Sequence, residues 1–241
     1  IGCASQEEIA DNKLENTPHY KPTNVFSVPE LPNDIKRVAI LPLANDRYTK
    51  ETRNIISNRL KTNISQTNRF ESVPVSSQMI STQYARPTFR SYDQIPSDFF
   101  DRLQSTFGAD AVLFSGLTEY DPYQPIKLGL RMRLVSMKDG KTLWAFDDVF
   151  RAGDARVASG AIAFQQRQDS PSFPMSQKGY TILQSPSKFA DYALKTAFST
   201  LPQRGTSLDT LSVTNGRAKN PTQRPDPKDQ TSSDNPEIPR F

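Results

Sequence analysis

Residues 107–120, FGADAVLFSGLTEY, hold the strongest strand pattern in the chain, because a short apolar run lies between a turn signal and a polar end. The segment before it predicts a helix, with Ser97 at the N-cap position and apolar side chains along one side. Gly108 lies where a helix C-terminus favours a left-handed residue. The sequence therefore predicts a helix that leads directly into a buried strand.

A β-hairpin is predicted directly after this strand. Residues 127–137 alternate, with leucine and methionine on one face and Arg131 and Arg133 on the other, as on the solvated face of a strand. An Asp139-Gly140 turn follows, and residues 142–150 form the returning strand. Two alternating segments around an Asp-Gly pair are typical of a hairpin.

The remaining apolar segments, before residue 107 and after residue 150, predict further strands and helices. Pro74 favours an edge position for one strand, and Ser185 before Pro186 is a plausible cap for the last helix. The predicted elements are strands at 35–43 and 69–77 and helices at 50–66, 76–84, 154–168 and 187–201. We therefore expect an α/β (α+β) fold, with a single mixed sheet of about five strands packed against helices on one face.

Three regions are predicted along the chain. Residues 35–202 contain the folded domain. Residues 1–34 and 203–241 are polar and proline-bearing without sustained periodicity, so they predict a flexible N-terminal tether and a disordered C-terminal tail. The hydrophobic fraction of 35% and the 19 prolines agree with one domain between two such ends.

The chain's one cysteine, Cys3, lies beside the start of the sequence. Ile1-Gly2-Cys3 resembles the end of a bacterial lipobox, the signal-peptide motif after which the cysteine sulfur receives a diacylglycerol. Asp in the position after that cysteine retains a lipoprotein in the inner membrane under the enterobacterial sorting rule, and Ala4 occupies that position here. We therefore expect Cys3 to be lipidated and to anchor the protein at the periplasmic face of the outer membrane.

Several kinds of chemistry are not expected from the composition. The one histidine, His19, falls in the predicted tether, so neither a catalytic Ser-His or Cys-His arrangement inside the domain nor a His/Cys zinc site is expected. Asp147 and Asp148 are adjacent on a strand and therefore point to opposite faces. The net charge of +4 is spread out and has no aromatic-basic cluster, which argues against nucleic acid. We expect no enzyme activity, no cofactor and no metal ion.

Three segments resemble a group of bacterial envelope lipoproteins: VAILPL at 38–43, FGAD at 107–110 and DGKTLW at 139–144. The group contains the curli-secretion lipoprotein family, the amino-terminal domain of TolB and the LpoB activators of peptidoglycan synthases. The resemblance covers about residues 35–201 and implies a small α/β domain in which a helix ending in Gly-Ala-Asp leads into a central strand, followed by a hairpin. These motifs are structural, so they indicate the fold rather than the function.

The stretch TEYDPYQPIK at 118–127 is the predicted partner-binding site, with a purely structural loop as the alternative. Two prolines and two tyrosines join two strong strands here, and a stiff aromatic loop loses little entropy when it docks. The predicted contacts with a partner protein are Tyr120, Tyr123, Gln124 and Ile126.

The sequence thus predicts a non-enzymatic outer-membrane lipoprotein that acts as a periplasmic docking or assembly factor for an envelope protein complex. A curli-type secretion-channel subunit, which would be a homo-oligomer, is the alternative. Glycines and prolines interrupt residues 151–186, where such a channel would need long alternating hairpins. A periplasmic enzyme is the second alternative.

Overall fold

The computed structural model describes residues 19–44, 47–169 and 179–205. The predictions made for Cys3, for residues 4–18 of the tether and for residues 206–241 of the tail lie outside the described residues.

A six-stranded mixed sheet forms the centre of the described chain. Its strands are β1 (Val25–Ser27), β3 (Arg37–Ile40), β4 (Glu71–Pro74), β5 (Ala111–Asp121), β6 (Lys127–Ser136) and β7 (Thr142–Arg151), in the spatial order β1-β7-β6-β5-β3-β4. Strand β3 runs parallel to β4 and β5, and the other neighbours are antiparallel. The predicted mixed sheet and the edge position of β4 are confirmed, with six strands instead of about five.

Five α-helices accompany the sheet within the described residues. They are α1 (Lys50–Ser65), α2 (Ser77–Tyr84), α3 (Phe99–Phe107), α4 (Ala155–Gln166) and α5 (Pro186–Phe198), with a 3₁₀ helix at Tyr180–Gln184 before α5. Ser185 caps α5 by accepting a hydrogen bond from the Lys188 amide, as predicted. The predicted cap of α3 at Ser97 is wrong: Asp98 is the N-cap residue, and its side chain makes no capping hydrogen bond. Gly108 ends that helix with a φ of +60°, as its left-handed position requires.

The sheet is covered by helices on both faces, which corrects the prediction of one covered face. We call the side that carries Val38, Ile40 and Leu113 the major face; α1, α4 and α5 pack on it. The opposite side, the minor face, carries Ala39, Leu41 and Val112 and packs against α2 and α3. The central strands β3 and β5 are apolar at successive positions, which is the pattern of strands buried on both sides.

Residues 19–34, predicted as part of the tether, pack on the domain instead. Strand β1 pairs with β7, placing Val25 opposite Phe146. The Tyr20 hydroxyl donates a hydrogen bond to Asp148 Oδ2 at 2.5 Å, and Leu31 is only 2% exposed. Leu31 belongs to β2 (Glu30–Leu31), which pairs in parallel with β8 (Gln203–Arg204). Both strands lie just outside the predicted domain of residues 35–202, so the folded domain extends beyond each predicted boundary.

None of the helices in the described ranges is long and apolar enough to cross a membrane.

Candidate functional site

The predicted partner-binding stretch forms the β5–β6 loop, residues 122–126, at one end of the sheet. Tyr123 is 79% exposed, and Gln124 beside it is exposed as well. The Tyr123 amide donates a hydrogen bond to Asp121 Oδ1 at 3.1 Å, which closes a local turn at the end of β5. Two of the four predicted contacts therefore project into solvent from one turn.

Tyr120 anchors the first side of this loop. Its backbone amide donates a hydrogen bond to the Tyr48 hydroxyl at 2.7 Å, and the two rings meet edge to face with centroids 6.0 Å apart. Burial of the ring raises the pKa of the Tyr120 phenol above its ordinary value. Tyr120 is half-buried, so it supports the loop and contributes only part of its ring to the surface.

Ile126 anchors the second side, and the prediction that it contacts a partner does not fit its position. Its side chain is 1% exposed and packs in the core of the major face. Its carbonyl accepts a hydrogen bond from the Ala152 amide at 2.8 Å. Side chains alternate between faces as β6 begins, and the register of β6 directs Ile126 inward with Leu128 and Leu130.

A small ion-pair network brackets the base of the loop. Glu119 pairs with Lys127 at 3.7 Å and with Arg151 at 3.1 Å, so one carboxylate joins three strands. All three side chains are at least one-third exposed. Such pairs contribute about 0–1 kcal/mol each, so they orient the strand ends more than they stabilise the fold.

The sequence analysis missed Tyr48 and Arg151 as parts of this site. Tyr48 is 72 residues from Tyr120, and it precedes α1, on a different segment of the chain. Nothing in the local pattern around Tyr48 indicates that its hydroxyl reaches the end of β5. Arg151 ends β7, and the observed register of the hairpin places it opposite Lys127. The predicted returning strand ends one residue earlier, at residue 150, so Arg151 was left out.

The two adjacent aspartates of β7 lie on opposite faces, as the alternation of a strand requires. Asp147 pairs with Arg131 at 2.7 Å on the minor face. Asp148 accepts the hydrogen bond from Tyr20 on the major face. Burial of the tyrosine, together with this hydrogen bond, raises the pKa of Tyr20 well above its ordinary value. The two carboxylates therefore do not act on one site.

His19 lies against α4, where its Nδ1 is 3.3 Å from Ser159 Oγ. The one histidine, predicted to lie in the tether, therefore contacts a serine of the domain. Ser159 is only 3% exposed, so a substrate carbonyl would not reach its oxygen. Across residues 19–44, 47–169 and 179–205, no cluster of three or more His, Cys, Asp or Glu side chains has a metal-binding arrangement.

No family model matches the chain, and no curated protein matches it. Solved structures similar to it include PelC of Paraburkholderia phytofirmans, a dodecamer, at 14% identity and a TM-score of 0.44, covering 75% of this chain and 96% of PelC. Lipoprotein GNA1162 of Neisseria meningitidis is similar at 18% identity and a TM-score of 0.37, covering 57% of this chain and 99% of that one.

The LpoB C-terminal domain of Salmonella enterica is also among the similar structures, at 16% identity and a TM-score of 0.33, covering 48% of this chain and 82% of that one. LpoB belongs to the group of envelope lipoproteins that the sequence motifs resemble. The similarity is structural and distant, so the function is argued below from the chain's own residues.

Proposed function

We propose that this protein is a non-enzymatic lipoprotein of the outer membrane that docks a protein partner of an envelope complex on the periplasmic side. The observation that carries the proposal is the 79% exposure of Tyr123, on a loop whose two flanks are fixed. The lipobox-like Ile1-Gly2-Cys3 supports the anchor, and Ala4 supports the outer membrane.

A fixed loop that presents an aromatic side chain suits protein recognition for two physical reasons. Tyr120 and Ile126 hold the loop through the Tyr48 hydroxyl and the Ala152 amide, so few backbone dihedrals have to be ordered on binding. A tyrosine has only two side-chain torsions and a large amphipathic ring, and tyrosines are enriched among the residues that dominate interface energies. The contact is therefore expected to centre on Tyr123, with Gln124 as a polar neighbour.

Photo-crosslinking in intact envelopes tests this site. A photoreactive residue replaces Tyr123 in one sample and Ile55 in the control. Ile55 is an apolar side chain on α1 that is 48% exposed, so the control has comparable accessibility on another surface. We expect one specific protein adduct from position 123, identified by mass spectrometry, and none of that mass from position 55.

Two outcomes contradict the proposal. Equal adducts from positions 123 and 55 would mean that the loop has no special affinity. Adducts formed only between copies of this chain would instead favour the alternative of an oligomeric secretion-channel subunit.

A further inference from the structure

Helices α1 and α5, which pack on the major face, are basic. Together they contain six lysine and arginine residues and two carboxylates, which gives them a formal charge of +4. The full chain has the same formal net charge. Helices α2 and α3 of the minor face carry no formal net charge. The helices on the two faces thus differ in charge, and the positive excess lies on the major-face side.

Four lysines form two rows along these helices. Lys50 and Lys61 are eleven residues apart, which is about three turns, so they lie on one side of α1. Lys188 and Lys195 are seven residues apart, about two turns, on one side of α5. The buried side chains of both helices lie on other sides, against the sheet. Lys61 is half-buried and the other three lysines are exposed, so the ammonium groups reach solvent from the outer surface of this layer.

The two rows belong to one continuous surface, because α1 and α5 are packed side by side. Arg59 of α1 forms an ion pair with Asp191 of α5. Asn63 Nδ2 of α1 donates a hydrogen bond to Asp191 Oδ1 at 3.0 Å. These contacts fix the two helices to each other. Since Arg59 and Asp191 neutralise each other, the lysines supply most of the excess charge. We call the surface formed by Lys50, Lys61, Lys188 and Lys195 the lysine face.

The lysine face is not neutralised from within the domain. Within residues 19–44, 47–169 and 179–205, no ion pair joins any of its four ammonium groups to an Asp or Glu. Lys188 Nζ donates a hydrogen bond to the Thr181 hydroxyl at 3.2 Å, and Lys195 Nζ lies 5.3 Å from the centre of the Phe164 ring. Both contacts leave the charge in place. Glu51 is the one carboxylate of α1, and that of α5 is already paired with an arginine.

We propose that the lysine face docks on an anionic lipid surface. Clusters of four or more lysines and arginines on amphipathic helices attract anionic lipids. Lysine suits this contact, because its flexible stem lets a strongly hydrated charge reach the level of the headgroups.

The spacing of the charges favours an extended surface over a small anion. Lys50 and Lys61 are separated by about 16 Å along α1, which one small ligand does not bridge. A bilayer offers many anionic headgroups over such a distance. This inference goes beyond the proposed docking of a protein partner, since it involves neither Cys3 nor residues 122–126.

Vesicle flotation of the full chain tests the lysine face. The chain is produced without a signal peptide, so that Cys3 has no acyl chain and does not itself hold the protein on the vesicle. We expect flotation with vesicles of phosphatidylglycerol and phosphatidylcholine in equal parts, and none with phosphatidylcholine alone. Raising the salt concentration from about 0.1 M to about 1 M should release the protein, because the Debye length falls from about 10 Å to about 3 Å.

A lysine variant and a matched control locate the contact. Changing Lys50→Gln, Lys61→Gln and Lys195→Gln together should weaken partitioning onto the phosphatidylglycerol vesicles at least about tenfold. The control removes the same charge from three exposed lysines outside the helices, Lys36→Gln, Lys138→Gln and Lys141→Gln. Its partitioning should stay within about threefold of the unchanged protein, since its lysine face is intact. Circular dichroism and the thermal midpoint verify that both variants are folded.

Three outcomes overturn the proposal. Equal loss of partitioning in the two variants would mean that net charge alone attracts the chain to the vesicles. Flotation that persists at high salt, or that is equal with phosphatidylcholine alone, would mean that anionic headgroups are not recognised. Absence of flotation with phosphatidylglycerol would leave the lysine face to another partner, such as an acidic protein surface. None of these outcomes depends on crosslinking at Tyr123, so this proposal and the proposed function fail separately.

Discussion

Tyr123 and Ile126 are three residues apart and have opposite environments, 79% and 1% exposed. The difference arises because Ile126 directly precedes β6, whose register directs it to the major face, whereas Tyr123 lies within the loop. Substitutions at the two positions should therefore separate partner binding from stability.

Changing Tyr123→Ala together with Gln124→Ala should reduce capture of the protein partner and leave the thermal midpoint within about one degree, since both side chains are exposed. Ile126→Ala should lower the free energy of unfolding by about 2–5 kcal/mol, because it empties a packed core position. Pull-down from solubilised envelopes measures the first effect, and urea denaturation measures the second. Unfolding by the exposed pair, or no stability loss at Ile126, would contradict this assignment.

The turn of the β6–β7 hairpin contains a carboxyl group with a lowered pKa. The Lys141 side chain, together with the Ser136 hydroxyl, hydrogen-bonds Asp139 and lowers the pKa of its carboxyl to about 2. A folded-state pKa below the ordinary value means that the turn is favoured at higher pH and loses this contribution as the pH falls from about 4 to about 2. Carboxyl-carbon NMR titration should place the midpoint near 2, and Lys141→Gln should return it toward 3.8.

At the scale of elements, α5 packs one side on the major face with buried apolar side chains, among them Phe189, Leu194 and Phe198. Phe198 is 2% exposed and lies 6.2 Å from Trp144 between ring centres, and the Trp144 indole nitrogen donates a hydrogen bond to Thr200 just after the helix. Phe198→Ala should cost about 3–5 kcal/mol of unfolding free energy, measured by chemical denaturation. Lys188→Ala, at an exposed position of the same helix, is the control and should change stability by less than about 0.5 kcal/mol.

The sequence predicted those strands and helices whose own residues show a clear apolar pattern. Strands β5, β6 and β7 have strong apolar patterns, and α1 and α5 have regular apolar stripes. Strand β1 was missed because its three residues, of which Phe26 is 53% exposed, have no pattern that differs from a polar tether. Its position depends on the free edge of β7, a distant part of the chain. The second covered face was missed for a related reason, since a continuous apolar strand does not show how many layers cover it.

Truncation tests whether residues 19–34, which were predicted to be tether, stabilise the domain. A variant that begins at residue 35 loses the β1–β7 pairing, the burial of Leu31 and the hydrogen bond from Tyr20 to Asp148. Its thermal midpoint should fall by several degrees relative to a variant that begins at residue 19, since each kcal/mol shifts the midpoint by about 2–4 °C in a domain of this size. Equal midpoints for the two variants would show that residues 19–34 add nothing to the fold.

At the scale of the whole molecule, the candidate docking loop lies at one end of the central sheet. Its first anchor joins separate parts of the chain, because Tyr120 lies near the end of β5 and Tyr48 precedes α1. The site residues that the sequence predicted all lie between residues 120 and 126. Tyr48 is 72 residues from Tyr120, and no local pattern connects the two before the fold is known.

The predicted lipid anchor at Cys3 can be tested in the cell envelope. In a precursor that carries a signal peptide, Cys3→Ser should move the protein from the membrane fraction to the soluble fraction without changing its thermal midpoint. Each buried CH₂ of an acyl chain contributes about 0.8 kcal/mol, so several chains hold the protein firmly and their loss releases it.

Ala4→Asp is the matched variant, because it keeps the lipidated sulfur and changes only the sorting position. Under the enterobacterial rule it should move the protein from outer-membrane to inner-membrane fractions of a sucrose gradient. The soluble fraction should stay empty, because the acyl chains remain attached. A Cys3→Ser protein that stays in the membrane would refute the anchor. An Ala4→Asp protein that keeps its original distribution would refute the predicted outer-membrane sorting and leave the anchor standing.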